Sequence, residues 1–144
     1  MKNSPRVFSL DEANALLPEL ESLLTDLLKQ KEKHARSHDE LLIHELVTQA
    51  ETHSGARVPL EEFEQAARTL EGDLAGIEQI IQRISQLGCI LRNAENGWID
   101  FLGERDGERV YFCWKKGEKT IQYYHPFKDD MTARFPLKVV RLHA

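Results

Sequence analysis

The spacing of apolar residues changes at Gly88, and no other feature of the sequence constrains the fold as strongly. Before Gly88, apolar residues recur every three or four positions, which is the period of an amphipathic helix. After Gly88 they alternate with polar residues, which is the period of a strand with one buried face. The sequence therefore predicts an α+β protein, with a long antiparallel two-helix hairpin over residues 1–88 and a small antiparallel sheet over residues 89–144.

Ser9 and Glu12 form a capping-box pattern that predicts the start of the first helix, because each residue can satisfy a free backbone amide of the other. Apolar residues then follow at helical spacing as far as Leu28. After a charged stretch they return at Leu41, Leu42, Leu46 and Val47. Pro18 has no amide hydrogen, so we expect a kink at this position within one helix that ends near Glu51.

The second helix has the most regular apolar pattern in the chain. Pro59 suits its first turn and Gly88 suits its C-terminal stop. Its seam residues, spaced as in a coiled coil, are Leu60, Phe63, Ala67, Leu70, Leu74, Ile77, Ile81 and Ile84. We expect the two helices to pack against each other in antiparallel orientation. The first helix is longer, and its overhang, residues 16–28, needs the sheet or a second copy of the hairpin as a cover.

Four short segments in the C-terminal part have the period of strands. They are residues 89–93, 98–102, 109–114 and 120–125. The sequence predicts a four-stranded antiparallel meander in which residues 103–107 form one connecting loop. In this register Phe101 shares a face with Tyr111. Residues 126–137 are predicted as loop, and residues 138–142 as a possible edge strand.

Length and charge narrow the class of protein. A chain of 144 residues is the size of one domain, so we predict a single domain over residues 1–144. The net charge of −5 argues against nucleic-acid binding, because phosphates favour a basic surface. No apolar run approaches the roughly 20 residues of a membrane span, and the N-terminus has no hydrophobic signal core. We therefore expect a cytoplasmic protein that binds no membrane.

The two cysteines, Cys89 and Cys113, are too few for a disulfide framework and do not have zinc-ribbon spacing. Cys113 with His125 could form a zinc site or a thiolate and its base. In the predicted register, however, Cys113 faces Thr120 or Ile121, and His125 lies about 14 Å further along the strand. We therefore predict that Cys113 is a buried thiol.

His125 has more suitable neighbours for a ligand site. The predicted loop puts Arg109 opposite His125, with Asp100 one strand away, and Arg134 arrives from the following loop. Histidine titrates near neutrality and arginine binds carboxylate or phosphate through two hydrogen bonds, so this group could hold a small anion or transfer a proton. The remaining candidate ligand-binding residues are Glu118, Tyr124 and Trp114. The alternative is a structural ion pair between Asp100 and Arg134 beside an edge histidine.

The first helix carries a second candidate site. His34 and His38 are four residues apart on one helix face, a spacing that can bind a transition metal. Neither helix contains a Glu-x-x-His step, which excludes the usual di-iron pattern. The alternative is a solvated or salt-bridged helix segment opposite residues 71–78. We expect no cofactor, with a transition metal as the alternative.

Two sequence motifs resemble a known family. The first is the capped helix over residues 8–20. The second and more specific one runs through Asp100-Phe101, Cys113-Trp114, Gly117-Glu118, Tyr124-His125, Arg134 and Pro136-Leu137. Together they resemble, from about Val7 to Leu137, the bacterial family catalogued as domain of unknown function 2203. That family usually has tryptophan and glycine where this chain has Tyr124 and Ala133. The resemblance implies a cytoplasmic bacterial protein and carries no assigned activity.

These patterns favour a non-enzymatic binding or scaffold module. Aromatic side chains fall on both faces of a sheet whose own helices can cover one face, so we expect a homodimer formed through the sheet and the helix overhang. Another protein partner remains an alternative. A different class of function, a small-molecule or metal-dependent activity, would be centred on His125, Asp100, Arg109 and Arg134.

Overall fold

The structure is a computed structural model that describes residues 6–55, 60–127 and 134–137. Within these ranges it contains three helices and five strands: α1 (Leu10–Ala15), α2 (Leu17–Ser54), α3 (Leu60–Gln86), β1 (Ile90–Asn93), β2 (Trp98–Arg105), β3 (Glu108–Lys115), β4 (Tyr123–Pro126) and β5 (Phe135–Pro136). The strands pair in chain order as an antiparallel meander. The predicted α+β class is confirmed, and the sheet has five strands where four were predicted.

The chain is divided into two compact units. The sheet unit combines Met1–Thr25 with Ile81–Ala144, and the hairpin unit is Asp26–Ile80. The sequence pattern indicates a boundary at residue 88, whereas α1, the start of α2 and the end of α3 group with the sheet. The expectation of a single domain over residues 1–144 stays a prediction.

The capping box at the N-terminus forms as predicted. The Glu12 amide donates to Ser9 Oγ at 3.1 Å, and the Ser9 amide donates to Glu12 Oε1 at 2.9 Å. The expected kink within one helix is wrong, because α1 ends at Ala15 and α2 begins at Leu17. Pro18 therefore lies in the first turn of α2, where amide hydrogens have no helical acceptor, and its missing hydrogen costs the helix nothing.

Phe8 connects the N-terminal segment to the sheet. Its amide donates to the Leu102 carbonyl at 2.7 Å, and its ring packs edge-on against Phe101 with the centroids 5.2 Å apart. On α2, Leu20 and Leu24 are fully buried. The helix overhang that was predicted to need a cover is therefore not exposed at these positions.

A two-residue turn at Asp106 and Gly107 connects β2 to β3. Both residues have positive φ angles, 53° and 81°, as a tight hairpin turn requires. The predicted five-residue loop is therefore wrong, and Phe101 pairs with Phe112 where Arg109 was predicted. The observed β2–β3 register differs from the predicted one by three residues. Because three is an odd number, each side chain of β2 shares a face with the β3 side chains that were predicted to lie on the opposite face.

The last two strands also differ from the prediction. Tyr123 is the first residue of β4 and pairs with Cys113, so the partner of Cys113 lies further along the chain than predicted. Phe135 and Pro136 form β5 within a segment predicted as loop. The edge strand predicted at residues 138–142 lies outside the described residues.

In the hairpin unit α2 and α3 run antiparallel, with Gln30 beside Gly76 and Ser37 beside Asp73. The coiled-coil seam predicted on α3 is only partly covered, since Leu74 is 46% exposed. At this level α2 presents Ser37, whose hydroxyl donates to the buried Asp73 carboxylate at 2.5 Å. A polar contact thus occupies part of the interface that the heptad pattern predicts to be apolar.

Candidate functional site

Two of the predicted site residues, Asp100 and His125, lie on the same face of the sheet. Asp100 on β2 pairs with Cys113, and His125 on β4 pairs with Tyr111. Cross-strand partners share a face, as do alternate residues of one strand, so these four side chains lie together. We call this surface the Asp100 face.

The Asp100 carboxylate is the centre of a buried polar group. Arg92 Nε donates to Asp100 Oδ2 at 2.9 Å, and Trp98 Nε1 donates to Oδ1 at 2.8 Å. His125 Nε2 lies 2.7 Å from Asp100 Oδ2. Asp100 is 0% exposed and His125 is 1% exposed. Three donors, one of them a guanidinium, offset the cost of burying a charged carboxylate.

These contacts indicate which ring nitrogen of His125 carries a hydrogen. Because Arg92 and Trp98 both donate to the Asp100 carboxylate, we assign Nε2 of His125 as a third donor to it. Nδ1 of His125 is buried and has no hydrogen-bond partner. A histidine with Nε2 donating to a carboxylate and Nδ1 without a partner can accept a hydrogen bond from a ligand at Nδ1.

Aromatic rings surround His125. The Tyr111 ring centroid is 5.1 Å from that of the imidazole, and the Trp98 ring meets it nearly edge-on at 6.2 Å. Arg92 lies over the Tyr111 ring at 5.0 Å, and strand alternation places it on this face because Ile90, two residues earlier, pairs with Asp100. The Asp100 cluster, as we name this group, consists of Arg92, Trp98, Asp100, Tyr111 and His125.

Arg134 belongs to a separate group around Glu118. Its Nη2 donates to Glu118 Oε1 at 2.8 Å, and its guanidinium lies 4.1 Å from the Tyr123 ring centroid. Trp114 Nε1 donates to the Glu118 carbonyl at 2.9 Å. Partial burial is the largest single influence and opposes the charged form, but the hydrogen bond and charge of Glu118 together with the contacts to Cys113 outweigh it and raise the pKa of Arg134. Arg134 is therefore the ion-pair partner of Glu118 and not of Asp100.

Two other predicted site residues lie away from the Asp100 cluster. Arg109 is near the β2–β3 turn with half of its side chain exposed. Its predicted position opposite His125 is wrong, because the actual register places Tyr111 there. Tyr124 lies on the opposite face of the sheet, where its hydroxyl accepts a hydrogen bond from Arg105 at 2.7 Å.

Both cysteines are free and buried. Burial raises the pKa of the Cys113 thiol to about 11 and that of the Cys89 thiol to about 12. Both thiols are therefore protonated at neutral pH and are poor nucleophiles. The predicted distance to His125 is wrong, because Cys113 pairs with Tyr123, two residues or about 7 Å along the strand from His125. The prediction of a buried thiol is confirmed.

His34 and His38 lie side by side on α2, with ring centroids 6.5 Å apart. In the part of the chain that the structure describes, no group of three or more His, Cys, Asp or Glu side chains is arranged to hold a metal ion. Nearby, Lys33 Nζ lies 3.8 Å from the buried Asp73 carboxylate. The salt-bridged interpretation of this helix segment thus has direct support.

The two larger pockets found among the described residues lie away from the Asp100 cluster. On the hairpin unit a polar groove of about 340 Å³ is lined by Ser37, Glu40, His44, Glu62, Gln65, Ala66 and Thr69. On the sheet unit a more apolar pocket of about 410 Å³ is lined by Leu10, Thr120, Ile121, Gln122, Tyr123, Pro136 and Leu137. Neither pocket includes a member of the Asp100 cluster.

Four large apolar side chains on α2 are exposed to solvent. They are Leu42, Ile43, Leu46 and Val47, and their exposed fractions range from 44% to 59%. The α2 residues at helical spacing from Ser37, namely Leu41, His44 and Thr48, are the half-buried ones at this level. The apolar stripe was predicted to continue through Leu41, Leu42, Leu46 and Val47; Leu41 is half-buried, and the predicted packing of the other three against α3 is wrong. We name the four exposed residues the outer α2 patch.

No helix in the described ranges is long and apolar enough to cross a bilayer. Comparison with curated proteins and with solved structures found no match. A family model described as "Uncharacterized conserved protein (DUF2203)" matches residues 6–137, which are 132 of the 144 residues. The matched range includes the Asp100 cluster, the Glu118–Arg134 pair and the outer α2 patch. The chain therefore belongs to the DUF2203 family.

Proposed function

We propose that this protein is a non-enzymatic binding module that self-associates through the outer α2 patch. The observation that carries the proposal is the position of this patch: the half-buried residues of α2 occupy one side of the helix, and the exposed apolar residues occupy the other. Of the half-buried residues only Leu41 is apolar, so most of the apolar surface of α2 at this level lies on the exposed side, without a cover among the described residues. Contiguous apolar surface on a globular protein commonly marks an interaction site.

A second copy of the chain is the partner that suits this surface. Burying a large apolar side chain completely contributes roughly 1.5–3 kcal/mol, and these side chains are about half exposed, so eight of them from two copies contribute on the order of 8 kcal/mol. Association itself costs about 4–15 kcal/mol. We therefore expect a reversible dimer, with the fraction of dimer depending on concentration.

The sheet is a less suitable contact surface than the sequence indicates. Its Asp100 face carries a buried ionic cluster, and on the other face Phe101 packs against Phe8. Leu20 and Leu24 of the helix overhang are buried as well. The proposed contact therefore lies on the hairpin unit.

Size-exclusion chromatography with light scattering tests the proposal over a range of concentrations. The wild type should shift from monomer to dimer, and Leu46→Glu should remain monomeric because it places a charge in the centre of the patch. Leu74→Glu is a matched control, since Leu74 is 46% exposed on α3 and lies outside the patch; it should dimerise like the wild type. A wild type that stays monomeric at every concentration, or a dimer unaffected by Leu46→Glu, would contradict the proposal.

A second candidate function, binding of a small anion at the Asp100 face, is favoured by one specific observation. His125 Nδ1 and Arg134 Nε are buried and have no hydrogen-bond partner. Arg92, not Arg109, is the arginine that accompanies His125 in this site. The guanidinium groups suit a small carboxylate or phosphate, and anion binding requires an imidazole with hydrogens on both nitrogens, so that Nδ1 donates to the anion while Nε2 donates to Asp100.

Titration calorimetry with acetate and with inorganic phosphate tests this second function. Binding should be lost in Arg134→Gln and in His125→Gln, which remove the two buried unpartnered nitrogens, but kept in Arg109→Gln, because Arg109 lies near the β2–β3 turn with half of its side chain exposed. Absence of heat with both anions in the wild type, or equal loss in all three variants, would exclude an anion site at this face.

A further inference from the structure

We infer that the two copies pair α2 against α2 in antiparallel orientation, with a two-fold axis at the level of His44 and Glu45. The inference rests on the proposed self-association and goes further, because it states which residues of the two copies face each other. It comes from the order of apolar and charged residues along the exposed side of α2.

The exposed side of α2 has a line of residues with alternating steps of four and three. In order these are Glu32, Arg36, Asp39, Ile43, Leu46 and Ala50, and all six are exposed. Steps of this size keep residues on one side of a helix, as in the contact line of a coiled coil. The charged residues come first and the apolar ones follow, so the line is not symmetric along the helix.

A parallel pairing in register would place each residue of this line opposite its own copy. Glu32 would face glutamate, Arg36 would face arginine and Asp39 would face aspartate. Like charges across an interface are strongly unfavourable. The charge order therefore disfavours the parallel arrangement.

An antiparallel pairing about an axis between His44 and Glu45 avoids these repulsions. It places Ile43 opposite the Leu46 of the other copy, and the two-fold symmetry makes this apolar contact twice. Asp39 then faces the small and uncharged Ala50. Each copy thus presents the same patch to the other, as an isologous contact requires.

A shift of the antiparallel pairing by one heptad towards the N-terminus of α2 is unfavourable. In that register Ile43 would face Asp39 and Leu46 would face Arg36. Charged groups would then be desolvated against apolar side chains without a partner. The axis at residues 44–45 therefore matches apolar and charged positions better than this shifted register does.

Cysteine cross-linking with Asp39→Cys and Ala50→Cys tests the orientation. In the antiparallel pair, position 39 of one copy faces position 50 of the other, whereas the two copies of position 39 are 11 residues or about 16 Å apart along the axis. A short bifunctional thiol reagent should therefore cross-link an equimolar mixture of the two variants and neither variant alone. The native cysteines do not compete, since both are buried.

Other outcomes overturn the inference in distinguishable ways. Cross-linking of each variant alone, with no mixed product, would show a parallel dimer. A dimer by light scattering without the 39–50 product would refute the register and leave self-association standing. A monomer by light scattering for the wild type would refute both the register and the proposed function.

Discussion

His125 Nε2 donates to Asp100 Oδ2 across 2.7 Å, although the two residues lie on strands that are not neighbours. β3 runs between them, so this hydrogen bond connects β2 to β4 over the face of the sheet. Arg92 brings β1 into the same group through its bond to Asp100. The Asp100 cluster therefore connects side chains of four strands, in addition to the backbone ladder.

Asp100→Ala should destabilise the protein more than His125→Ala. Removal of the carboxylate leaves the Arg92 guanidinium without its partner, which costs about 3–5 kcal/mol for a fully buried pair. The lower end applies here, because 22% of the Arg92 side chain is exposed. Removal of His125 leaves Asp100 its bonds to Arg92 and Trp98 and should cost about 1–3 kcal/mol. Urea denaturation measures both losses, and equal losses would mean that the carboxylate is not the centre of the cluster.

Gly103→Ala and Gly72→Ala should change stability in opposite directions. A Cβ at Gly103 would lie 2.3 Å from Cε2 of Phe112, so the ring would have to move. We expect a loss of about 1–3 kcal/mol from this overpacking. Gly72 lies within α3 and its Cβ would meet nothing within 4 Å, so alanine there should add about 0.5–1 kcal/mol. Chemical denaturation of both variants is the measurement, and a neutral Gly103→Ala would contradict the packing of Phe112.

The two buried thiols should make stability fall at alkaline pH. Burial raises the pKa of Cys113 from 9.0 to about 11 and that of Cys89 from 9.0 to about 12. The folded protein holds these protons more tightly than the unfolded chain, so this stabilisation is fully present below pH 9 and is lost as the pH rises towards 11 and 12. The double variant with Cys89→Ala and Cys113→Ala should show a shallower decline in the free energy of unfolding above pH 9. Identical pH profiles for the wild type and the double variant would refute the raised pKa values of the two thiols.

The thermal midpoint should rise with protein concentration. Only folded chains associate into the dimer, so a higher protein concentration stabilises the folded state by mass action. Leu46→Glu should have a midpoint independent of concentration, whereas Leu74→Glu should follow the wild type. Differential scanning calorimetry at several concentrations measures this. A wild-type midpoint that does not move would argue against association through the outer α2 patch.

The class of fold followed from local pattern because each half of the chain has one consistent period. The capping box at Ser9 and the stop at Gly88, whose φ is 91°, depend on neighbouring residues alone and were predicted. The break between α1 and α2 was not, since Pro18 is compatible with a kink and with the first turn of a new helix. The difference is decided at Leu16, whose amide bonds to the Ala13 carbonyl at 3.1 Å.

The strand register was mispredicted because the segment at residues 103–107 contains two glycines. Gly107 is a turn residue with φ of 81°, whereas Gly103 lies inside β2 under the Phe112 ring. An Asp-Gly pair between alternating segments is a strong hairpin signal, and greater weight on it would have placed Phe112 opposite Phe101. The clash that requires Gly103 is a tertiary contact and has no local signature.

The outer α2 patch shows what the spacing of apolar residues cannot predict. The pattern identifies which residues of α2 are apolar, but the side of this segment that meets α3 carries the polar residues Ser37, His44 and Thr48, so apolar spacing does not mark the contact. The buried pair of Ser37 and Asp73 decides which side meets α3, because it fixes the rotation of α2 against α3 in the hairpin unit. A contact between residues 36 positions apart in the sequence cannot be read from local spacing.

The two-residue turn at Asp106–Gly107 fixes the register of β2 against β3, and a shifted register would have a cost during folding. If β2 slid past β3 by a single residue, Asp100 would move to the side of the sheet occupied by Phe8, where it would lose Arg92 and His125 as partners. A slip of two residues would keep the carboxylate on its own side but out of reach of the same partners. A shifted β2–β3 register would thus leave the Asp100 charge without partners, and the cluster therefore favours the native strand register.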